Sequence, residues 1–118
     1  MKNGKNDTDK DEDSQIQALE VSLILNLSAC MLATEQWEAA KSNCDKALSI
    51  QEENPKALFR RGQALFQIRD YDSSLQDLQR ACALQPDDKK IHQEFAKVKK
   101  AKFELTQKEK NIYSKMFK

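Results

Sequence analysis

From Ile16 onward, apolar side chains recur at intervals of three and four, the spacing that gathers them on one side of an α-helix. The first such stretch, 15–33, carries Ile16, Leu19, Val21, Leu23, Ile24, Leu25 and Leu27 and is apolar on nearly every side, as a helix enclosed by neighbours would be. The pattern breaks around Thr34–Gln36 and resumes over 37–51. Asn54 and Pro55 then form a helix-start signal, a capping side chain followed by the residue whose missing N–H costs nothing in a first turn. The helix they open runs over 55–68 and breaks at Arg69–Asp70; the next runs over 71–84 and Pro86 stops it. A long helix follows within 87–118, where Ile91, Phe95, Val98, Leu105 and Ile112 trace one stripe. Residues 1–14 hold no large apolar side chain after Met1, cannot bury surface, and are expected to be a disordered linker.

Four of these helices form two copies of one unit. Shifted by 34 residues, LNLSACMLATEQWEAAKSNCDKALSIQ lies over FRRGQALFQIRDYDSSLQDLQRACALQ. Trp37 then falls on Tyr71, Leu32 on Phe66, Asn43 on Asp77, Ala47 on Ala81 and Ile50 on Leu84. Residues 15–52 and 53–86 therefore each read as a helical hairpin, and the start of 87–118 covers the open face of the second, as repeat stacks require. A 34-residue helix–turn–helix period resembles the tetratricopeptide (TPR) repeat. That pattern has an aromatic, Leu-Gly and a second aromatic in its first helix. Leu58, Arg61-Gly62 and Leu65 fill those positions here, and Ile24, Leu27-Ser28 and Met31 fill them in the first unit. In the second helix, Ala40, Cys44, Ala47 and Glu52, and then Ser74, Leu78, Ala81 and Pro86, answer the pattern's Ala, large residue, Ala and Pro. The expected fold class is all-α: two TPR hairpins plus a long C-terminal capping helix.

Composition narrows the chemistry. Lys and Arg number 20 against 19 Asp and Glu, a net charge of +1, so bulk charge favours neither nucleic acid nor a membrane surface as partner. No uninterrupted apolar run approaches the ~20 residues of a membrane span, and the N-terminus lacks the apolar core of a signal peptide. Cys30, Cys44 and Cys82 form no CxxC and have no histidine at ligand spacing, the pattern of reduced thiols in a cytosolic protein. Cytoplasm is the expected compartment, with the nucleus as the alternative. The run DTDKDED lacks the Gly and distal Glu of a calcium loop, and no Gly-rich phosphate loop or Cys–His pair occurs. The chain is expected to be no enzyme and to need neither metal nor cofactor.

One local violation points to binding instead. Lys56, Arg60 and Arg61 crowd three cations into the first two turns of a helix, where the positive end of its dipole disfavours each by roughly 0.3–1 kcal/mol. An anion docking there would meet a helix N-terminus and cations together. Lys56 and Arg60, four apart, project from one face; Arg61 points about 100° away and is expected to pair with an acidic neighbour. Asn26, equivalent to Arg60 in the first unit, is a polar residue inside SLILNLSACML and needs a partner. In the TPR register, Asn26, Lys56 and Arg60 coincide with three of the five positions of the dicarboxylate clamp of TPR co-chaperones, and Lys-Ala-Leu-Phe-Arg-Arg resembles the co-chaperone version of this helix. The resemblance implies binding of the C-terminal Glu-Glu-Val-Asp peptide of heat-shock protein 90, with heat-shock protein 70 as second candidate. Asn26 would donate to the terminal carboxylate, and Lys56 and Arg60 would hold the last Asp side chain and nearby backbone oxygens. Gln63 is a secondary groove candidate.

The clamp's other Lys and Asn belong to a preceding repeat, so the chain reads as the C-terminal part of a larger TPR domain. KVKKAKFELTQKEKNIYSKMFK resembles the C-termini of large TPR-bearing immunophilins, most of all the cyclophilin 40 type, which implies a prolyl isomerase domain elsewhere and none here. Residues 97–118 are also basic and amphipathic, which supports a rival reading as a calmodulin target, a property that the family resemblance implies too. Nucleic-acid binding is disfavoured because the lysines and aromatics do not share one long face. The remaining alternative is a self-associating scaffold, in which helix 15–33 exposes apolar surface that pairs two copies.

Overall fold

A computed structural model describes residues 7–117. Five helices follow one another: α1 (Asp7–Ala33), α2 (Trp37–Ile50), α3 (Pro55–Gln67), α4 (Tyr71–Leu84) and α5 (Lys89–Met116). No strand occurs among the described residues. The disordered linker expected over 1–14 lies outside the described residues at positions 1–6 and is corrected beyond them, because α1 begins at Asp7 rather than at residue 15. The reason is electrostatic. Asp9, Asp11, Glu12 and Asp13 sit at the start of a helix, where the partial positive charge of the dipole favours carboxylates, so a segment with nothing to bury can still extend the helix through solvent.

Each hairpin turns through one residue in the left-handed region, Glu35 at φ 61° and Arg69 at φ 73°. Their hydrogen bonds repeat with the same offset. The Glu35 N–H donates to the Leu32 carbonyl at 3.2 Å and the Gln36 N–H to Met31 at 2.7 Å; the Arg69 N–H donates to Phe66 at 3.0 Å and the Asp70 N–H to Leu65 at 2.9 Å. These paired bonds close the orphan carbonyls of α1 and α3 without a glycine, at a strain of about 1–2 kcal/mol per turn. The later helices start on side-chain caps: Asn54 accepts from the Ala57 N–H, Asp70 from Ser73, and Asp88 from Lys90 and Ile91.

Packing follows the repeat. Val21, Leu25 and Ala47 of the first hairpin bury against Ala57 of α3, with Ile24 and Leu48 beside them. Leu58 and Ala81 of the second bury against Ile91 of α5, with Phe59 and Cys82 beside them. Ile91 stands 34 residues after Ala57, so α5 covers the second hairpin as α3 covers the first. Within each hairpin, close approach is arranged by complementary sizes. Fully buried Leu78 of α4 fills the space that Gly62 of α3 leaves, and buried Cys44 of α2 meets Ser28 of α1 in the corresponding place. The Ser74 hydroxyl locks the same junction by donating to the Gly62 carbonyl at 2.6 Å.

Two expectations for α1 and the membrane change. α1 is enclosed on one side only: Val21, Leu25 and Ser28 are buried, while Ile16, Leu19, Leu23 and Leu27 are exposed on the opposite face. By length and composition it is also long and apolar enough to cross a membrane, because Gln, Ser and Asn interrupt its apolar run without lowering the average much. Here it is the first helix of a packed hairpin. At the other end α5, 28 residues long, buries Ile91 and Val98 and then projects past the hairpins, with Ile112, Tyr113, Met116 and Phe117 exposed, giving the molecule extents of 79 × 29 × 28 Å.

The Gly62 contact yields a stability test. A Cβ at that position would lie 2.8 Å from Leu78 Cγ and 2.9 Å from its Cδ2. Gly62→Ala gains about 0.5–1 kcal/mol of helix propensity but overpacks a core with no slack, a cost of about 1–3 kcal/mol. Thermal unfolding should show a lower midpoint for the variant. A midpoint at or above that of the parent would show that α3 and α4 are not held at this distance by Leu78.

Candidate functional site

The groove faces of α1, α3 and α5 stand side by side, α1 against α3 and α3 against α5. Because these helices are offset by 34 residues, equivalent side chains fall in rows. Ser22, Lys56 and Lys90 form one row; Asn26, Arg60 and Glu94 form the next; Ala29, Gln63 and Lys97 form the third. Lys56 is exposed and stands between two depressions. The larger, of about 510 Å³, is bordered by Ser22, Leu25 and Asn26 on α1 and by Asn54, Lys56 and Gln85. The smaller, of about 220 Å³, is bordered by Lys56, Phe59, Arg60, Asp88 and Lys90.

The candidate residues separate in this geometry. Asn26 and Lys56 border one groove, at the start of α3. Asn26 is exposed rather than embedded in a core, so it needs no buried partner. Arg60 borders the adjoining depression, half-buried, and its Nη1 donates to the Leu25 carbonyl oxygen, next to Asn26. Its guanidinium is thus partly committed to tying α3 to α1. Gln63 is not brought into this cluster. Its Nε2 donates to Glu94 Oε1 at 3.4 Å, and it borders a separate cleft with Trp37, Phe66 and Lys97.

The charge balance favours an anion. Among the described residues, neither Lys56 nor Lys90 is held in an ion pair. The acids nearby are already engaged. The Glu94 carboxylate is 12% exposed, takes a hydrogen bond from Gln63 and lies 3.5 Å from Lys97 Nζ, while Asp88 Oδ1 caps α5. Lys90 is the residue that sequence reasoning missed. Its signal was available: the 34-residue step that links Ser22 to Lys56 continues from Lys56 to Lys90, in a segment read only as a cap.

Arg61 turns away from the groove and meets acids. Its Nε and Nη2 fork onto Asp77 of α4 at 2.6 and 2.8 Å, and Nη1 reaches Asp45 of α2 at 2.9 Å. The bonds it donates to Asp77 hold the guanidinium protonated even more firmly than usual, against the opposing effect of burial. Burial pushes the Asp45 carboxyl up, but hydrogen bonds from Arg61 and Lys41 outweigh it and hold it below the usual carboxylate range. Nearby, burial pushes the Cys44 thiol up to about 11, opposed by the Ser28 hydroxyl and the charges of Arg60 and Arg61. The arrangement offers exposed positive charge and an amide to an anion. Among the described residues it assembles no cluster of histidine, cysteine and carboxylate fit for a metal.

Comparison with known proteins fits this geometry. The tetratricopeptide repeat family pattern matches residues 55–88. Peptidyl-prolyl cis-trans isomerase FKBP42 of Arabidopsis thaliana is 37% identical over 94 residues, covering 80% of this chain and 26% of that protein. FKBP4 of Bos taurus is 36% identical over 108 residues, covering 91% of this chain and 24% of the relative. The chain therefore spans about a quarter of the length of these curated relatives. Among solved structures, the UNC-45 chaperone superposes with a TM-score of 0.74 at 32% identity, over 83% of this chain and 11% of that one. The first TPR of Spaghetti (RPAP3), bound to the HSP90 peptide SRMEEVD, superposes with a TM-score of 0.66 at 25% identity, over 69% of this chain and 64% of that one. The described helices have the TPR fold, and the sequence is similar to part of FKBP4- and FKBP42-type immunophilins. The cyclophilin 40 type expected from the tail motif is not supported, since these relatives are FKBP-type.

Two tests follow from the shifted groups. Asp45 ionises more readily folded than unfolded, so its contribution to stability is complete above the unfolded carboxylate value of about 3.9 and is lost as pH falls through the lower folded value. Unfolding free energies measured from pH 6 down to pH 2 should fall on the acid side, and Asp45→Asn should reduce the steepness of that fall. An unchanged slope would remove Asp45 from the acid response. Thiol labelling of the native protein at pH 8 should modify exposed Cys30 first and buried Cys44 only on unfolding. Labelling of both at one rate would contradict the packing around Ser28.

Proposed function

We propose that this chain is a chaperone-binding module of a co-chaperone and that it docks the acidic C-terminal Glu-Glu-Val-Asp peptide of heat-shock protein 90, with that of heat-shock protein 70 as the second candidate. The observation that carries the reading is the groove at the start of α3, where Asn26 and Lys56 meet beside a helix N-terminus and Lys56 has no ion-pair partner among the described residues. Two similar structures support the partner class: the RPAP3 TPR bound to SRMEEVD and the second TPR of human RPAP3 in complex with the HSP70 peptide SGPTIEEVD, the latter at a TM-score of 0.64 and 26% identity. Similarity to FKBP4 supports a co-chaperone setting.

The roles divide by what each side chain has left to offer. The Asn26 amide donates to the terminal carboxylate. Lys56 carries the point charge for the last Asp side chain, and Lys90, one row-mate along, extends the positive field to the upstream acids. Arg60 contributes charge from the Leu25 carbonyl it already holds, so it does not fork onto the ligand in this conformation.

Titration with a pentapeptide ending in Glu-Glu-Val-Asp, beside the same peptide amidated at its C-terminus, tests the reading. Each charge-assisted hydrogen bond contributes about 1.5–3 kcal/mol, so amidation and Lys56→Ala should each weaken binding by roughly tenfold or more. Gln63→Ala should leave the affinity nearly unchanged. Equal affinity for the acid and the amide would eliminate the carboxylate mechanism.

A further inference from the structure

The net charge of +1 hides a local concentration. Residues 99–117 carry six lysines against two glutamates, so the rest of the chain is net acidic. This is the half of α5 that projects past the hairpins. Its end holds Ile112, Tyr113, Met116 and Phe117, exposed by 59%, 63%, 68% and 79%, and the Tyr113 and Phe117 rings stack with centroids 6.1 Å apart. Scattered exposed apolar residues are ordinary; four gathered at the tip of a helix are not.

Helical geometry sorts these residues into bands. At about 100° per residue, the four apolar side chains span an arc of about 140°. Lys108 and Lys115 flank one edge of that arc and Lys110 the other, while Gln107, Asn111 and Ser114 occupy the opposite side. Among the described residues, none of these three lysines is held in an ion pair, whereas Lys102, nearer the hairpins, pairs with Asp72. An apolar band with cations along both edges suits a flat surface that is negative outside and apolar beneath. Two other occupants fit worse. A second α5 would set Glu109 against Glu109 in parallel, and the Lys108–Lys115 edges against each other in antiparallel. A groove enclosing the whole helix face would take Leu105, Glu109, Ile112 and Met116 as its anchors, and Glu109 puts a carboxylate among them. On a lipid surface only the end of the helix needs to enter, which leaves Glu109 a turn back, on the water side.

We propose that the last two turns of α5 dock on a bilayer of negatively charged lipid. Ile112, Tyr113, Met116 and Phe117 enter the interface, where the Tyr113 hydroxyl stays at headgroup level. Lys108, Lys110 and Lys115 lay their stems along it and set their ammonium groups at lipid phosphates. Neither half suffices alone: a short apolar patch inserts weakly, and charge by itself is screened beyond about 10 Å at moderate salt. Met116 stands about 39 Å along the helix axis from Lys90, so the groove around Lys56 stays open and neither proposal depends on the other.

Co-sedimentation of the full chain with vesicles tests it, comparing phosphatidylcholine alone with phosphatidylcholine containing phosphatidylserine. The chain should pellet only with the mixed vesicles, and raised salt should release it. Lys108→Gln, Lys110→Gln and Lys115→Gln together should weaken binding roughly a hundredfold. Met116→Ser with Phe117→Ser should weaken it roughly tenfold or more. All the replaced side chains are exposed, so helical content and melting should be unchanged. Lys56→Ala should bind the vesicles as the parent does. Equal binding to both kinds of vesicle, or to neither, would overturn the proposal. Full retention by the serine variant would reduce the contact to charge, full retention by the glutamine variant would reduce it to apolar adhesion, and a loss with Lys56→Ala would move it to the groove; each contradicts docking by the tip. Calcium-dependent capture by calmodulin without binding to vesicles would assign the tip to an acidic protein groove instead.

Discussion

A two-helix hairpin can bury only one of its faces against itself, and that constraint organises this molecule. The remaining face must be covered by the first helix of the next unit, and it is covered twice by equivalent contacts. Ala57 of α3 closes over Val21, Leu25 and Ala47; Ile91 of α5 closes over Leu58 and Ala81. The approach is close because one partner at each junction is small, Ser28 against Cys44 and Gly62 against Leu78. Binding geometry follows from this packing. Once α1, α3 and α5 are fixed at one offset, side chains 34 residues apart fall into rows, and a groove with defined chemistry results.

Within that groove the charges divide into those that hold the fold and those that remain available. Arg61 forks onto Asp77 and reaches Asp45, linking three helices, and Arg60 bonds the Leu25 carbonyl. Lys56 and Lys90 have no such task. Two adjacent arginines on one helix turn thus serve packing, while the lysine a turn earlier stays solvent-facing at a helix N-terminus. The energetic penalty of a cation in that position, roughly 0.3–1 kcal/mol, is one that a docked anion would relieve, which is the electrostatic ground for the binding role proposed above.

The hairpins were legible in the sequence because the repeat aligns with itself, so sizes and turns can be checked twice: Trp37 with Tyr71, Glu35 with Arg69. The outward turn of Arg61 was legible from helical angle alone. What stayed hidden depended on tertiary distance or on unlike forces acting on one segment. The bond from Arg60 to Leu25 and that from Gln63 to Glu94 join residues far apart in the chain, and no local pattern encodes them. The start of α1 was misread because burial was the sole criterion, whereas dipole electrostatics extends the helix through Asp9 and Asp13. Lys90 stands on the 34-residue step from Ser22 through Lys56, which reading α5 as a cap alone does not reveal. A tail of a few residues pointed to an immunophilin branch that the FKBP-type relatives do not support, since short motifs constrain far less than the repeat register does.

The central claim is that docking occurs along the rows that α1, α3 and α5 create. Backbone and side-chain amide spectra of isotopically labelled protein, followed as an acidic C-terminal peptide is added, test this claim most directly. The account predicts shifts centred on Asn26, Lys56, Arg60 and Lys90, with α2 and the outer face of α4 unmoved. Shifts confined to the projecting end of α5, or spread over the side bearing Arg61 and Asp45, would contradict it.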